Sequence, residues 1–299
     1  MPRGRSQTSS NGNFTGKPDS LQPSGIASPK LILERMEQGI YLVDPALAAK
    51  DQLGLDLDPW QKDVITTLFR GEKKRVSVRA GHGSGKTWCS AVITHIFLNN
   101  FPSSRILITG PTSRQTRLQC WSYLNTIWQT NFLKDKIEWL KTKMYIKGYE
   151  ESWFAAWVTS KNHKNAEGFH GENLLWIIEE AKSVQDAVFE GVQGALSRPN
   201  NFIYISSTCG HPSGYFYETH TSRTDQWDTF HIPSWNSPRV SPEKIEVWRK
   251  EWGEDSPIYQ ARVAAEFPEE SMYSIVPLSH LYRAVENDDD DEEGISATA

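Results

Sequence analysis

Apolar residues along the chain recur in short runs that alternate with longer stretches of helical spacing. The runs are rich in β-branched and aromatic residues and lie at Arg75–Arg79, Arg105–Thr109, Phe154–Thr159, Leu174–Ile178 and Phe202–Ser206. Nearly continuous apolar strands that alternate with helices are typical of α/β proteins. We therefore predict an α/β fold with a mostly parallel sheet flanked by helices.

The same pattern divides the chain into four predicted segments. Residues 1–29 are rich in Ser, Gly, Pro, Asn and Gln and predict a disordered arm, either a solvated tail or an arm that touches DNA or a partner. Alternating strands and helices occupy residues 30–240, and two short helices predict a small helical linker subdomain at 241–285. Residues 286–299 are acidic and then small and polar, which predicts a disordered tail.

The charge of the chain is unevenly distributed. The sequence has 32 Lys and Arg and 37 Asp and Glu, with a formal net charge of −5. Seven of these acidic residues fall between Glu286 and Glu293, and the remaining 30 face 32 basic residues. The whole-chain charge therefore does not exclude a nucleic-acid-binding surface.

The three cysteines, Cys89, Cys120 and Cys209, have spacing that fits neither a zinc site nor a disulfide framework. Isolated thiols suit a reducing cytosol. No apolar run approaches the roughly 18–20 residues that span a membrane, and the N-terminus has no apolar segment of the signal-peptide type. We expect a soluble cytoplasmic protein without a membrane partner.

The strongest motif is Ala80–Thr87, whose sequence AGHGSGKT matches the P-loop pattern with Ala80 where glycine is usual. A β-prone run precedes it, and a helical stretch from Thr87 to about Asn99 follows. Backbone N–H groups at such a helix start bind phosphate oxygens, and glycines let the loop curl around them. The residues expected to bind the nucleotide are Gly81, His82, Gly83, Ser84, Gly85, Lys86 and Thr87. The alternative is a glycine-rich turn that precedes Lys-Thr by chance.

Hydrolysis needs further groups beside this loop. Lys86 is expected to act on the β- and γ-phosphates of ATP, and the Thr87 hydroxyl is expected to ligate Mg²⁺. The run Leu174–Ile178 ends in two carboxylates, of which Glu179 is expected to bind Mg²⁺ and Glu180 to polarise the attacking water. Asp is usual at the position of Glu179, so the geometry must relax slightly. The alternative is a strand end followed by a solvated acidic helix start.

Two further motifs are candidate parts of a nucleotide site. Gln61, some 20 residues before the P-loop, has an amide that can bond N6 and N7 of adenine; the alternative is an exposed residue of an amphipathic helix. Ser207 and Thr208 follow an apolar run and are candidates for sensing the γ-phosphate. Their alternative is the role of ordinary polar residues at a strand end.

Two loop motifs are candidates for contacts with phosphate or a neighbouring subunit. Gly110–Arg117 carries Ser, Thr and Arg, which suit a DNA or nucleotide phosphate; the alternative is a capped helix start. His170, within Gly168–Gly171, is a candidate for delivering charge to a neighbouring subunit's ATP. Its alternative is a structural histidine.

These motifs agree in order and spacing with one family. Over roughly residues 45–285 the sequence resembles the ATPase domain of tailed-phage terminase large subunits. The stretch Trp248–Phe267 favours terminases over helicases. The other matching segments are Trp60-Gln61, Val78–Thr87, Gly110–Gln115, Gly168–Gly171, Leu175–Ala181 and Ser206–Thr208.

The resemblance implies a P-loop NTPase fold of the ASCE type. It implies ATP-driven translocation of double-stranded viral DNA into a procapsid, by a homo-oligomeric ring assembled on the portal protein. A small terminase subunit is a further implied partner. The implied location is the host cytoplasm, transiently at the procapsid portal.

The sequence departs from the family in three places. Many terminases carry Arg in the P-loop where this chain has His82, and Arg before the acidic pair, where His170 is the nearest match. These departures imply either a weaker or pH-sensitive motor, or a catalytic cation supplied by His170 or by another residue such as Arg79, Arg114 or Arg117. Before residue 285 we find no spaced acidic set of the kind that a two-metal nuclease needs, so we expect no nuclease activity from this chain alone.

Two alternative functions stay open. One is a non-hydrolysing split fragment that docks on DNA, the portal or a separate nuclease subunit. The other is a helicase-like ATPase, which would require a second lobe that 299 residues hardly permit.

Overall fold

The computed structural model describes residues 26–111, 114–159 and 168–269. The predicted arm at 1–29 therefore lies outside the described residues up to residue 25. The predicted tail at 286–299 lies wholly outside them, as does the end of the predicted linker subdomain beyond residue 269.

Between residue 26 and the first strand the structure has four helices, and the sequence marks their starts. They are α1 (Pro29–Glu37), α2 (Ile40–Val43), α3 (Pro45–Leu53) and α4 (Pro59–Arg70). The three longer helices each begin with a proline that follows Ser28, Asp44 or Asp58. Such residues accept hydrogen bonds from the free N–H groups of a first turn, and proline fixes a helical φ there.

The remaining elements alternate between strands and helices. They are β1 (Arg75–Ala80), α5 (Lys86–Asn100), β2 (Arg105–Thr109), α6 (Arg114–Trp128), β3 (Ile137–Trp139), β4 (Lys143–Ile146), β5 (Phe154–Trp157), β6 (Asn173–Glu179), α7 (Asp186–Ala195), β7 (Asn200–Ser207), α8 (Tyr215–Thr219), β8 (Asp228–Ile232), α9 (Pro242–Trp252) and α10 (Pro257–Tyr259). Helix α10 continues directly into a π turn at Gln260–Ala264.

Within the described ranges, eight strands form one open sheet in the order β3-β4-β5-β2-β6-β7-β1-β8. The pairs from β5 to β8 along this order are parallel, whereas β3–β4 and β4–β5 are antiparallel. The predicted fold class, a mostly parallel sheet flanked by helices, is confirmed. The structure adds β3, β4 and β8 to the five predicted strands.

Strand β6 shows how the sheet separates two apolar cores. Leu175 and Ile177 pack with α3 to α6 on one face, whereas Leu174, Trp176 and Ile178 pack with α7 and α8 on the other. Because successive side chains of a strand point to opposite faces, burial on both faces explains the continuous apolar run. A small third cluster joins α9 to α10 and consists of Ile245, Tyr259 and Val263 with Val240, Trp248 and Trp252 around them.

The register of the parallel strands brings the predicted motifs to one edge. Glu179 at the end of β6 pairs with Ser206 of β7, and Ser207 pairs with Arg79 of β1. The P-loop follows directly after β1 at the same carboxyl edge. In α/β folds this edge is where ligands bind. Within the described ranges, no helix is both long and apolar enough to cross a membrane.

Candidate active site

A cleft of about 540 Å³ opens at the carboxyl edge of the sheet. The P-loop and the start of α5 form its floor, and residues after β6, after β7 and near the C-terminal end of the described chain form its walls. The lining residues are His82, Gly83, Gly85, Lys86, Thr87, Trp88, Gln119, Tyr123, Glu180, Lys182, Thr208, Arg239 and Arg262. Four of these side chains are cationic, those of Lys86, Lys182, Arg239 and Arg262, and one is acidic, so the cleft suits an anionic ligand.

Glycines shape the P-loop for two separate reasons. Gly83 and Gly85 have φ values of 74° and 92°, in the left-handed region that side chains disfavour. Gly81 is needed for close packing, because a Cβ there would lie 2.2 Å from Ser234 Oγ and 2.7 Å from the carbonyl oxygen of Val263. Its N–H donates to the Ile232 carbonyl at 2.9 Å. The loop is thus held against β8 and the π turn.

The ammonium of Lys86 lies within the loop. Its Nζ donates to the carbonyl oxygens of Ala80 and Gly81, at 3.1 Å each. Burial lowers the pKa of Lys86, while the carboxylates of Glu180 and Glu179 raise it. Phosphate oxygens are stronger acceptors for an ammonium than carbonyls are, so the side chain is placed to exchange these bonds for a nucleotide.

Glu179 lies beneath the cleft at the end of β6. The residue is 1% exposed, and its carboxylate accepts hydrogen bonds from Thr87 Oγ1 at 2.9 Å and from Ser90 Oγ. Burial raises the pKa of Glu179 to about 7, although the two hydroxyl groups lower it. Sequence reasoning missed Ser90, which lies one helical turn after Thr87 and so faces the same side of α5.

Glu180 is turned into the cleft by an unusual backbone conformation. Its φ of 50° places it in the left-handed region, which costs free energy for a residue with a side chain. Ser207 Oγ donates to Glu180 Oε2 at 3.4 Å, and Thr208 lines the cleft. The structure therefore brings Glu180, Ser207 and Thr208 together as the sequence predicted.

Lys182 is a cleft residue that the sequence analysis missed. Its ammonium donates to Thr208 Oγ1 at 2.6 Å and to the Cys209 carbonyl at 3.1 Å. These bonds place a cation beside Glu180 and the end of β7. Its position two residues after the acidic pair was the available signal.

The predicted contact of Gln61 with adenine stays a prediction, and the structure shows what this residue contacts within the chain. Gln61 is fully buried, so the alternative of an exposed residue on an amphipathic helix is wrong. Its Oε1 accepts from Asp58 N at 3.1 Å in a capping box, and its Nε2 donates to the Gly85 carbonyl at 3.4 Å. Since both ends of the amide bond the backbone, Gln61 braces the P-loop against α4.

Arg79 does not line the cleft of its own chain, and its predicted role as a catalytic cation stays a prediction. Its guanidinium pairs with the Glu266 carboxylate, donates to the Ala265 carbonyl at 3.1 Å and lies 5.7 Å from the centre of the Phe267 ring. It is absent from the cleft lining. Arg79 instead fastens the C-terminal end of the described chain to β1.

The two candidate histidines, His82 and His170, lie at opposite edges of the sheet. His82 lines the cleft, and burial, followed by the charges of Lys86, Arg262 and Lys182, lowers its pKa to about 4. His170 lies before β6 at the other edge, where its carbonyl accepts from Arg105 Nη1 at 2.6 Å. The structure therefore does not bring His170 to the nucleotide of its own chain, and its role toward a neighbouring subunit stays a prediction.

The motif Gly110–Arg117 is only partly described. Residues 112 and 113 lie outside the described residues, as do the side chains of 114–116. Further along α6, Gln119 and Tyr123 line the cleft. Neither of these two residues was predicted.

The oxygen donors at the base of the cleft fit the predicted Mg²⁺. Thr87 Oγ1 and the Glu179 carboxylate meet at 2.9 Å, and both are hard oxygen ligands. Mg²⁺ takes few protein ligands and completes its shell with phosphate and water. The part of the chain that the structure describes holds no group of three or more His, Cys, Asp or Glu side chains placed to hold a metal ion.

Comparison with known proteins identifies relatives of this chain. The chain is 30% identical over 243 residues to a probable terminase large subunit of Enterobacteria phage P7, covering 74% of this chain and 48% of that protein. The chain thus spans about half the length of the curated relative that it matches. No protein-family model matches it.

Solved structures share the fold. A large terminase from a thermophilic bacteriophage aligns with a TM-score of 0.59 at 12% identity, over 71% of this chain and 54% of that one. Other structures of that terminase are complexes with ADP and with ATP-gamma-S. A mutant ATPase domain of the Thermus phage P74-26 large terminase aligns with a TM-score of 0.53 at 18% identity, over 72% of this chain and 96% of that one.

Proposed function

We propose, from the premise that this chain is a homologue of phage terminase large subunits, that its cleft binds and hydrolyses ATP to drive viral DNA packaging. The observation that carries the proposal is the meeting of three motifs at one sheet edge. The P-loop lysine, the Thr87–Glu179 pair and Glu180 all lie in or directly beneath one cationic cleft.

The geometry supports a direct role for each residue. P-loop N–H groups and Lys86 bind the β- and γ-phosphates, and Lys86 stabilises the charge that develops during transfer. Glu180 accepts a proton from a water molecule whose oxygen forms a bond to the γ-phosphorus. The bond between that phosphorus and the β–γ bridging oxygen breaks, which gives ADP and phosphate. Thr87 and Glu179 would hold Mg²⁺, which supplies charge neutralisation at the phosphates when bound.

The wider activity that we propose is translocation of double-stranded DNA. The proposed partners are viral DNA, the portal protein, a small terminase subunit and further copies of this chain in a ring, with a separate nuclease subunit as another candidate. The proposed site of action is the host cytoplasm at the procapsid portal. These partners follow from the relationship to terminases, of which this chain spans about half.

Steady-state ATP hydrolysis, measured with and without double-stranded DNA and portal, tests the proposal. We expect DNA-stimulated or portal-stimulated turnover that falls at least about 100-fold in Lys86→Ala, because the charge at the transferred phosphoryl group is lost. Lys250→Ala, at an exposed position of α9, is the matched control and should keep the original rate. ATP binding without turnover, with both partners present, would favour the non-hydrolysing alternative and contradict the motor.

A further inference from the structure

Arg262 is a cation that the C-terminal π turn contributes to the cleft. The residue belongs to the turn Gln260–Ala264, is half-buried, and lines the cleft together with His82, Lys182 and Glu180. Desolvation lowers the pKa of Lys182 and Glu180 raises it, while the positive charge of Arg262 lowers it further. The same charge acts on His82. Arg262 thus stands near both of these residues.

The guanidinium of Arg262 differs from those of Arg79 and Arg239 in having no anionic partner among the residues that the structure describes. Arg239 pairs with Asp58 at 2.8 Å, and Arg79 pairs with Glu266. The described contact of the Arg262 guanidinium is with the Trp252 ring, whose centre lies 5.9 Å away. A half-buried cation that lies among other cations is unfavourable until an anion binds.

The position of Arg262 in the cleft determines which end of a bound nucleotide its guanidinium can contact. Glu180 must face the terminal phosphate if it activates the attacking water. Lys182 lies with it at the ends of β6 and β7, because Lys182 donates to Thr208 Oγ1 and Glu180 accepts from Ser207 Oγ. Arg239 lies beside the P-loop instead, where its Nε is 3.1 Å from the Cβ position of Gly85. Arg262 lines the same cleft as Glu180 and its charge acts on Lys182, which places it toward the end of the cleft where the terminal phosphate would bind.

Backbone contacts tie the same turn to the P-loop and the sheet. His82 N–H donates to the Arg262 carbonyl at 2.6 Å, and Arg79 Nη1 and Cys209 Sγ both donate to the Ala265 carbonyl at 3.1 Å. A movement of the Arg262 side chain would therefore be transmitted to a backbone segment that contacts the ends of β1 and β7. This segment leads into the C-terminal part of the chain.

We infer that Arg262 donates hydrogen bonds to the terminal phosphate of ATP and thereby holds residues 257–269 more firmly in the ATP state than in the ADP state. The inference rests on the proposed function and deepens it. It assigns a nucleotide-sensing residue to a segment outside the P-loop and the strand ends. Arg262 is then a cation from the same chain at the end of the site where His82, with a pKa of about 4, is neutral at pH 7.

Affinities of the full chain for ATP-gamma-S and ADP, each with Mg²⁺, test the inference. We expect Arg262→Gln to weaken ATP-gamma-S binding at least about tenfold and to change ADP binding by less than about twofold, since a charge-assisted bond to the terminal phosphate is lost. Arg262→Lys should restore part of the difference. Arg249→Gln, on the exposed side of α9, is the matched control and should change neither affinity.

Hydrogen exchange is a second measurement. A purely structural role of Arg262 would not produce a difference in protection between the ATP-gamma-S and ADP states. In the unaltered chain, ATP-gamma-S should protect residues 257–269 more than ADP does, and Arg262→Gln should abolish that difference. Should Arg262→Gln fail to fold, Arg262→Lys and the unaltered chain carry both measurements. The inference alone is overturned if the Arg262 variants keep the original ratio of ATP-gamma-S to ADP affinity or if no nucleotide-dependent protection occurs. Binding of neither nucleotide by the unaltered chain would overturn the proposed function as well.

Discussion

Glu179 illustrates how the fold creates a reactive carboxyl group. The residue is 1% exposed, and burial is the main cause that raises its pKa to about 7 from an ordinary value of 4.5. Thr87 and Ser90 satisfy its oxygens but do not neutralise its charge. An acid in this state binds a cation readily when one is present, because the cation replaces the missing solvation.

The raised pKa of Glu179 predicts a pH-dependent cost to stability in the absence of nucleotide and metal. Between pH 4.5 and 7 the folded state binds more protons than the unfolded state, so the free energy of unfolding falls as pH rises through this window. Glu179→Gln removes the cost. We expect this variant to be more stable than the unaltered chain by up to about 3 kcal/mol at pH 8, at about 1.4 kcal/mol per pKa unit.

Chemical denaturation in the presence of EDTA at pH 5 and pH 8 measures this difference. The advantage of Glu179→Gln should shrink as the pH falls toward 4.5 and vanish below it, where Glu179 is protonated in both the folded and the unfolded chain. An advantage that is equal at both pH values would show that packing, rather than ionisation, causes it.

The low pKa of His82 predicts that this residue does not set the pH dependence of hydrolysis. With a pKa of about 4 it is neutral throughout the range from pH 6 to pH 8. His82→Gln should therefore leave the shape of the pH–rate profile unchanged in that range, whatever its effect on the absolute rate. A profile that loses an inflection near pH 6–7 in the variant would mean that His82 titrates during turnover.

Gln61 and Ser90 show where reasoning from residues stopped short of the structure. The sequence around Gln61 contains a capping-box signature, because Asp58 lies three residues before it at a helix start. That local signal identifies the helix-capping role of Gln61, whereas its contact with the Gly85 carbonyl depends on tertiary packing. Ser90 could have been found from helical spacing after Thr87, since residues three apart share a helix face.

At the scale of elements, the P-loop depends on close contact with the π turn. Gly81 leaves no room for a Cβ, which would meet Ser234 Oγ at 2.2 Å and the Val263 carbonyl at 2.7 Å. One of these atoms belongs to the backbone of the turn, so a side-chain rotation cannot relieve the clash. The loop and the turn therefore have to move together.

Gly81→Ala is predicted to destabilise the protein by about 2 kcal/mol or more, as overpacking of a close contact does. Gly194→Ala is the matched control. A Cβ at Gly194 has nothing within 4 Å, and its place in α7 favours alanine by up to about 1 kcal/mol. Urea denaturation of both variants measures the effects, and equal stability of the two would contradict the close packing of the loop.

The elements that the sequence predicted are those with a continuous apolar pattern. The five predicted strands are β1, β2, β5, β6 and β7, each paired on both sides in the sheet. The predicted helix from Thr87 to Asn99 lies within α5, and the two short C-terminal helices correspond to α9 and α10. Strand β3 has only three residues, β4 alternates half-buried with buried positions, and β8 forms a sheet edge, so none of them has the continuous apolar pattern of the five predicted strands.

At the scale of the whole molecule, the location of the site was predictable because parallel strands share a carboxyl edge. Motifs after β1, β6 and β7 had to meet there once the fold class was correct. Arg239 and Arg262 were not predictable, since they reach the cleft from more than 150 residues after the P-loop through packing that no local pattern encodes. The four-segment division of the chain stays a prediction.

The central claim is that Glu180 and the P-loop form one hydrolytic site, and single-turnover cleavage of radiolabelled ATP tests it most directly. We predict that Glu180→Gln binds ATP with Mg²⁺ within a few-fold of the unaltered chain but releases phosphate at least about 100-fold more slowly, because the proton acceptor for water is lost. Phosphate release by Glu180→Gln at the original rate would contradict the account.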